Sequence, residues 1–232
     1  MSKSATPRKA AVEQLIGDVH GYNVNHSSRE IYLHGYFSDD EEPGVDYRMA
    51  TNFIKNLHIL QSQNNKNILV HMHTIGGCWS DGMAMYNSIR MIQSPMTILG
   101  YAQASSMSGI IIQAADKRVI MPDCEFMIHH GSLSVSDNTL AVKSAVDRNE
   151  VNCKRMLQVF AQRAVHGKFF KDRSYGIRKA MNVIDQKIKS ASDWYMDAEE
   201  AVYYGFADGI LGEKGFETMA KIRAGRKKKD FN

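Results

Sequence analysis

Three short stretches of this chain carry side chains that could together perform acyl transfer. In Tyr101-Ala102-Gln103-Ala104-Ser105-Ser106-Met107-Ser108-Gly109, a predicted strand over 96–102 runs into the apolar run SGIIIQAA, which reads as a buried helix. A helix start offers free N–H groups and a positive dipole end that stabilise an anion. A serine at such a junction has the placement of a nucleophile elbow. Position alone does not choose among Ser105, Ser106 and Ser108, and each could instead cap the helix. The stretch PDCEFMIHHG ends a further strand on His129 and His130, and SDWYMDAEEAVYYG sets an acid before a short helix. That helix has Asp197 to cap it, Glu200 three residues on and Gly205 to stop it. Ahead of all three lies Gly76-Gly77, at the end of another strand, where bare backbone amides can approach a substrate. Nucleophile, base, acid and amide donors are the components of hydrolysis through a covalent intermediate.

A metal-dependent reading competes. Gly17-Asp18-Val19-His20-Gly21 resembles the GDxHG signature of calcineurin-like phosphoesterases. Such a centre needs further ligands from other strand ends, and the chain does not provide that family's later motifs. Asn25-His26 lacks the preceding Gly and the following acid. His71 and His73 share one face of a strand, a spacing compatible with a metal, but such a pair is more often packed or solvated. The pentapeptide is expected to be a surface turn, and no metal or other cofactor is assigned.

Over the whole chain, 232 residues with 44% hydrophobic and 23% charged composition describe an ordinary globular protein with one substantial core. No apolar run approaches the roughly 20 residues that span a bilayer, and MSKSATPRKAAVEQ has no apolar core of a secretory signal. Cys78, Cys124 and Cys153 are widely spaced and fit reduced thiols in a cytoplasmic setting. The net charge of +4 comes from the two ends, with AGRKKKDFN at +3 and Lys3, Arg8 and Lys9 adding +3, so nucleic-acid binding is not expected. Strands over 29–37, 67–73 and 96–102, with two short ones in KRVIM and EFMIHH, alternate with helices over about 45–62 and 80–93. A long helix follows over 138–165 and a short one over 197–205. The pattern is α/β. The expected division is an N-terminal segment 1–28, a catalytic domain 29–215 and a basic tail 216–232.

In combination these motifs resemble the ClpP family, the proteolytic subunits of the Clp protease. The resemblance runs in one order over about residues 29–212. It rests on IGGCWSDGMAMYNSI, on Gln103-Ala104-Ser105-Ser106-Met107, on Pro122 to His129, and on DAEEAVYYGFAD. It implies a ClpP/crotonase-like fold of repeated β-β-α units with a protruding long-helix handle. It implies Ser106 as nucleophile, His129 as general base and Asp193 as orienting acid, with Asp185 and Asp172 as alternative acids. The oxyanion donors would be the N–H of Met107 and one from Gly76-Gly77. Ser105 is read as packing and His130 as a neighbour of the site. The implied activity is serine endopeptidase cleavage of unfolded polypeptides inside an oligomeric chamber, with self-assembly into rings, two stacked heptamers by resemblance, and an ATP-dependent unfoldase as a possible partner.

The chain also departs from that pattern. Ser108 replaces a usual Gly or Ala, HGSLSVS replaces a Pro- and Gly-rich segment, and HGKFFKDRSYGIRKAMNVIDQKI is long. HGSLSVS is expected to supply a β-edge for an extended substrate. The alternatives are an inactive ring or scaffold subunit, a phage-type head-maturation protease, a crotonase-type enzyme acting on acyl-CoA thioesters, and a Ser–Lys peptidase using Lys143.

Overall fold

Near-continuous apolar runs stack side by side as a parallel sheet in the computed structural model, which describes residues 7–34 and 44–223. The strands are β1 Val24–Asn25, β2 Glu30–His34, β3 Ile68–Thr74, β4 Met96–Ser105, β5 Lys117–Ile120, β6 Glu125–Ile128, β7 Trp194–Met196 and β8 Gly209–Ile210. Their order is β1-β2-β3-β4-β5-β8, with β6 paired to β4 and β7 paired to β6. From β2 to β8 the main path is parallel, and β1 closes one edge antiparallel. The first residues of β3 and β4 are buried without alternation, as in a sheet covered on both faces, and polar side chains such as His71, His73 and Gln103 enter toward their C-terminal ends. The first half of β4 pairs with β5, and its second half pairs with β6, with Gln103 opposite Glu125 and Ser105 opposite Met127. This exchange of partners delivers the end of β4 to the candidate site.

The helices are α1 Pro7–Tyr22, α2 Tyr47–Gln63, α3 Trp79–Met91, α4 Met107–Ile112, α5 Thr139–Ala164, α6 Lys168–Asp172, α7 Ile177–Ala191, α8 Ala198–Tyr204 and α9 Met219–Arg223. Asp46 caps α2 by accepting from the Met49 amide, and Met49, Phe53, Leu57 and Leu60 bury the face that their spacing predicts. All six residues of α4 are buried, as its run of isoleucines requires. At α8 the Asp197/Glu200 capping box is formed. The C-terminal half of α5 is anchored by Phe160, which packs edge-on against Phe126 and Phe206. Its N-terminal half stands away from the core: Leu140 is 80% exposed and the first buried residue is Met156. This is the protruding long-helix handle of an α/β fold.

Several expectations need correction. The GDVHG pentapeptide is not a turn but lies in the last turns of helix α1, with Gly17, His20 and Gly21 exposed and Asp18 and Val19 half-buried. The segment before residue 29 contributes both α1 and β1. Residues 216–223, expected in the tail, pack on the body: Phe216 lies over Gly209, and the buried Ile222 accepts hydrogen bonds at its carbonyl from Thr97 Oγ1 and Lys117 Nζ at 2.9 and 3.0 Å. The strongly basic stretch 224–232, most of the 38–44 acidic segment and residues 35–37 of the first strand lie outside the described residues. HGSLSVS forms no strand; residues 129–138 leave β6 without a ladder. The long stretch after α5 holds α6 and α7, and α7 buries Ala180, Ile184 and Ile188 at helical spacing.

One ionic cluster lies deep in the body. Arg118, 4% exposed at its side chain, donates through Nη2 and its backbone amide to the two carboxylate oxygens of Asp208, at 2.7 and 2.8 Å. Burial alone would raise the Asp208 carboxyl, but the charge and hydrogen bonds of Arg118, with Arg163 beyond, hold it well below the usual carboxylate range. Burial, with the like charge of Arg118, pushes Arg163 down to about 9.

Candidate active site

At the junction of β4 and α4 the chain turns on Ser106, whose φ of 55° and ψ of −122° lie where a residue with a side chain rarely sits. Such a conformation persists only when its surroundings hold it. Here the Ser106 amide donates to Met127 O at 2.9 Å, continuing the β4–β6 ladder. The buried Ser108 hydroxyl lies 2.6 Å from Ser105 O and 2.9 Å from Thr74 O, tying the turn to the end of β3. The Ser that replaces a usual Gly or Ala thus braces the bend from within. Ser105 is buried with no hydrogen-bond partner for its Oγ, which agrees with a packing role.

The glycine loop abuts the same bend. A Cβ on Gly76 would sit 2.8 Å from both Met107 N and Ser105 O, and one on Gly77 would sit 2.4 Å from Val45 O. Both glycines have positive φ, so side chains are excluded by conformation as well as by space. Residue 45 laces the loop in place, its amide donating to Gly76 O at 2.6 Å and its carbonyl accepting from Cys78 N at 2.8 Å. Gly77 faces the cleft beside Ser106 and Met107, while Gly76 lies behind them. As the first residue of α4, Met107 has an amide with no intrahelical acceptor.

His129 follows the last residue of β6. Its Nε2 is 2.7 Å from Ser106 Oγ and its Nδ1 is 3.2 Å from Asp193 Oδ1. Asp193 reaches this place because β7 pairs antiparallel with β6, setting Trp194 opposite Ile128 and so the preceding residue beside the following one. Asp185 instead faces His130 Nε2 at 3.1 Å, and Asp172 pairs with Lys168 on the exposed α6. Lys143 is exposed on the outer half of α5 and does not line the cleft. The structure therefore brings Ser106, His129 and Asp193 into one line and leaves the alternative acids and the alternative base elsewhere.

The cleft in front of Ser106 has a volume of about 450 Å³. One wall is α5, through Asn149, Asn152, Cys153 and Met156, and Trp79 and Ile110 complete it. The sequence reading did not assign these residues to the site. The signal was present, since positions 149, 152, 153 and 156 follow the i, i+3, i+4, i+7 rule for one helix face. His71 is occupied otherwise: its Nδ1 meets the Tyr101 hydroxyl at 2.8 Å, its ring stacks on Tyr32 at 4.7 Å, and burial lowers its pKa. Among the described residues no group of three or more His, Cys, Asp or Glu is arranged to hold a metal ion.

Comparison with known proteins decides the family. Residues 41–214, well over half of the chain, match the Clp protease family. The chain belongs to the Clp protease family. It is 27% identical over 172 residues to the ATP-dependent Clp protease proteolytic subunit of Deinococcus radiodurans, covering 73% of this chain and 77% of that protein. It is 29% identical over 173 residues to the subunit of the same description from Streptococcus uberis, covering 72% and 80%. Among solved structures, a point mutant of ClpP1 from Listeria monocytogenes superposes with a TM-score of 0.63 at 17% identity, over 85% of this chain and 96% of that one. The fold is that of ClpP, and this member of a serine endopeptidase family is a ClpP-type serine peptidase. The crotonase-type and phosphoesterase readings give way to it.

Proposed function

We propose that the chain is an active endopeptidase that cleaves unfolded polypeptides by Ser106, His129 and Asp193, within a chamber built from copies of itself. The observation that carries this is the 2.7 Å approach of His129 Nε2 to Ser106 Oγ with a carboxylate on the other ring nitrogen. The carboxylate favours the tautomer with its proton on Nδ1, which leaves Nε2 free to accept the Ser106 proton as Oγ attacks a peptide carbonyl. The imidazolium then returns the proton to the leaving amine. The amides of Met107 and Gly77 receive the developing oxyanion, each such donor being worth about 3 kcal/mol in the transition state. Water repeats the sequence on the acyl-enzyme.

Self-association is supported by the handle. Leu140, Val146 and Val151 on α5 and Leu133 and Val135 before it are exposed apolar side chains on an element that projects from the core. Two stacked heptameric rings and service by an ATP-dependent unfoldase are the family's arrangement, and both are proposed for this chain. The free Cys78, Cys124 and Cys153 suit a reducing compartment such as the cytoplasm. Among the described residues no helix is long and apolar enough to cross a membrane.

A fluorophosphonate probe tests the chemistry. Wild type is expected to be labelled on Ser106 and Ser106→Ala is not; labelling that survives the substitution removes Ser106 as nucleophile. An unlabelled but assembled wild type would indicate the scaffold alternative. Gly77→Ala is expected to lower kcat about 10²–10³-fold, because the added Cβ displaces an oxyanion donor. A melting temperature close to wild type would show that the body is intact. A monomer by light scattering at micromolar concentration would contradict the chamber.

A further inference from the structure

Resting on the peptidase reading above, we infer that His130 and Asp185 form a positioning pair, which holds the backbone of His129 so that its imidazole stays in line between Ser106 and Asp193. The need for such a device follows from the geometry. The β6 ladder ends at Ile128, and residues 129–138 have no helix or strand to fix them. Gly131, at a φ of 79°, follows almost at once. Asp193 is a weak restraint, since its side chain is 44% exposed and its oxygen lies 3.2 Å from Nδ1, so water competes for it.

The carboxylate of the second pair is better sheltered. Asp185 is 25% exposed at its side chain and lies 3.1 Å from His130 Nε2. Lys189, one turn along α7, pairs with the other oxygen of that carboxylate at 2.7 Å. The His130 carbonyl has its own anchor, the Cys153 thiol of α5 at 3.5 Å. The residue after the base is thus gripped at side chain and backbone by two helices, while the base points to Ser106. Both histidines border the cleft, and Nε2 of His129 reaches Ser106 while Nε2 of His130 reaches Asp185, so the two rings serve different partners. The stretch containing α7, long for this family, supplies the carboxylate.

The test uses purified wild type and four variants, with kcat and KM on a fluorogenic peptide and the rate of fluorophosphonate acylation. Asp185→Ala, whose side chain does not line the cleft, is expected to lose about tenfold in kcat and in acylation rate with KM unchanged, and His130→Ala, whose ring does line it, to lose as much in kcat. His130→Gln keeps a donor and Asp185→Asn keeps an acceptor, so both recover most of the loss. The double alanine variant is no worse than either single one, because both remove the same restraint. Alanine variants that keep kcat while only the melting temperature falls would overturn the inference, as would a change confined to KM. A crystal structure of Asp185→Ala separates this from the activity itself. His129 Nε2 must move beyond hydrogen-bond distance of Ser106 Oγ, and an unmoved ring overturns the pair even if wild type proves inactive. A wild type that neither cleaves nor labels counts instead against the peptidase reading.

Discussion

Replacing His129 with alanine is expected to lower peptide hydrolysis about 10⁴–10⁶-fold with the fold retained. Among the described residues His129 is the side-chain base on Ser106 Oγ, at 2.7 Å, and without it the hydroxyl must attack with its proton in place. The loss falls on kcat, since the other residues that line the cleft, on the glycine loop, α4, residues 130–132 and α5, stay in place. Initial rates with Ser106→Ala as the background measure it. Asp193→Ala should cost less than His129→Ala, because the carboxylate is half open to water and acts through the ring rather than on the substrate. Near-normal turnover by His129→Ala would return the role of base to a lysine, although Lys143 does not line the cleft.

Asp208→Asn should destabilise the chain by about 3–5 kcal/mol, the cost of breaking a buried ion pair from one side. Arg118 and Arg163 would remain buried as neighbouring cations without that carboxylate. The pH dependence has a definite sign. The Asp208 carboxyl is depressed in the folded state, so its stabilising effect is complete above the unfolded value, about 3.9. The effect is lost as pH falls through that value toward the folded one. The gap between wild type and Asp208→Asn in urea unfolding should therefore be constant from neutrality to about pH 5 and narrow below about pH 4. A gap of the same size at about pH 3 would show that the carboxylate is not the source.

What could be read from the sequence was local. The spacing of Met49, Phe53, Leu57 and Leu60, the Asp197/Glu200 cap and the strand–serine–helix junction each declare themselves within a dozen residues. Choosing Ser106 over Ser105 and Ser108 took the family resemblance, because the three differ by a main-chain turn that no local pattern states. The acid was harder still. Asp193 meets His129 through the register of β6 against β7, a pairing between segments over 60 residues apart. Asp185, two helical turns earlier on α7, stands as a fallback acid in the sequence, and its carboxylate faces His130 instead. GDVHG misled because glycine suggests a turn, yet an exposed helix tolerates one for about 1 kcal/mol. The packing of α9 rests on the single buried Ile222, too faint a signal to separate it from the basic tail that follows.

The hydrogen bond from the Ser106 amide to Met127 O stitches the nucleophile to the strand that ends one residue before its base. That bond sets the sheet's share of their separation, and the anchors of residue 130 on α5 and α7 hold the rest. On gradual heating, enzymatic competence and tertiary structure should accordingly vanish at one temperature, with no warm interval in which an intact body has lost its reactivity.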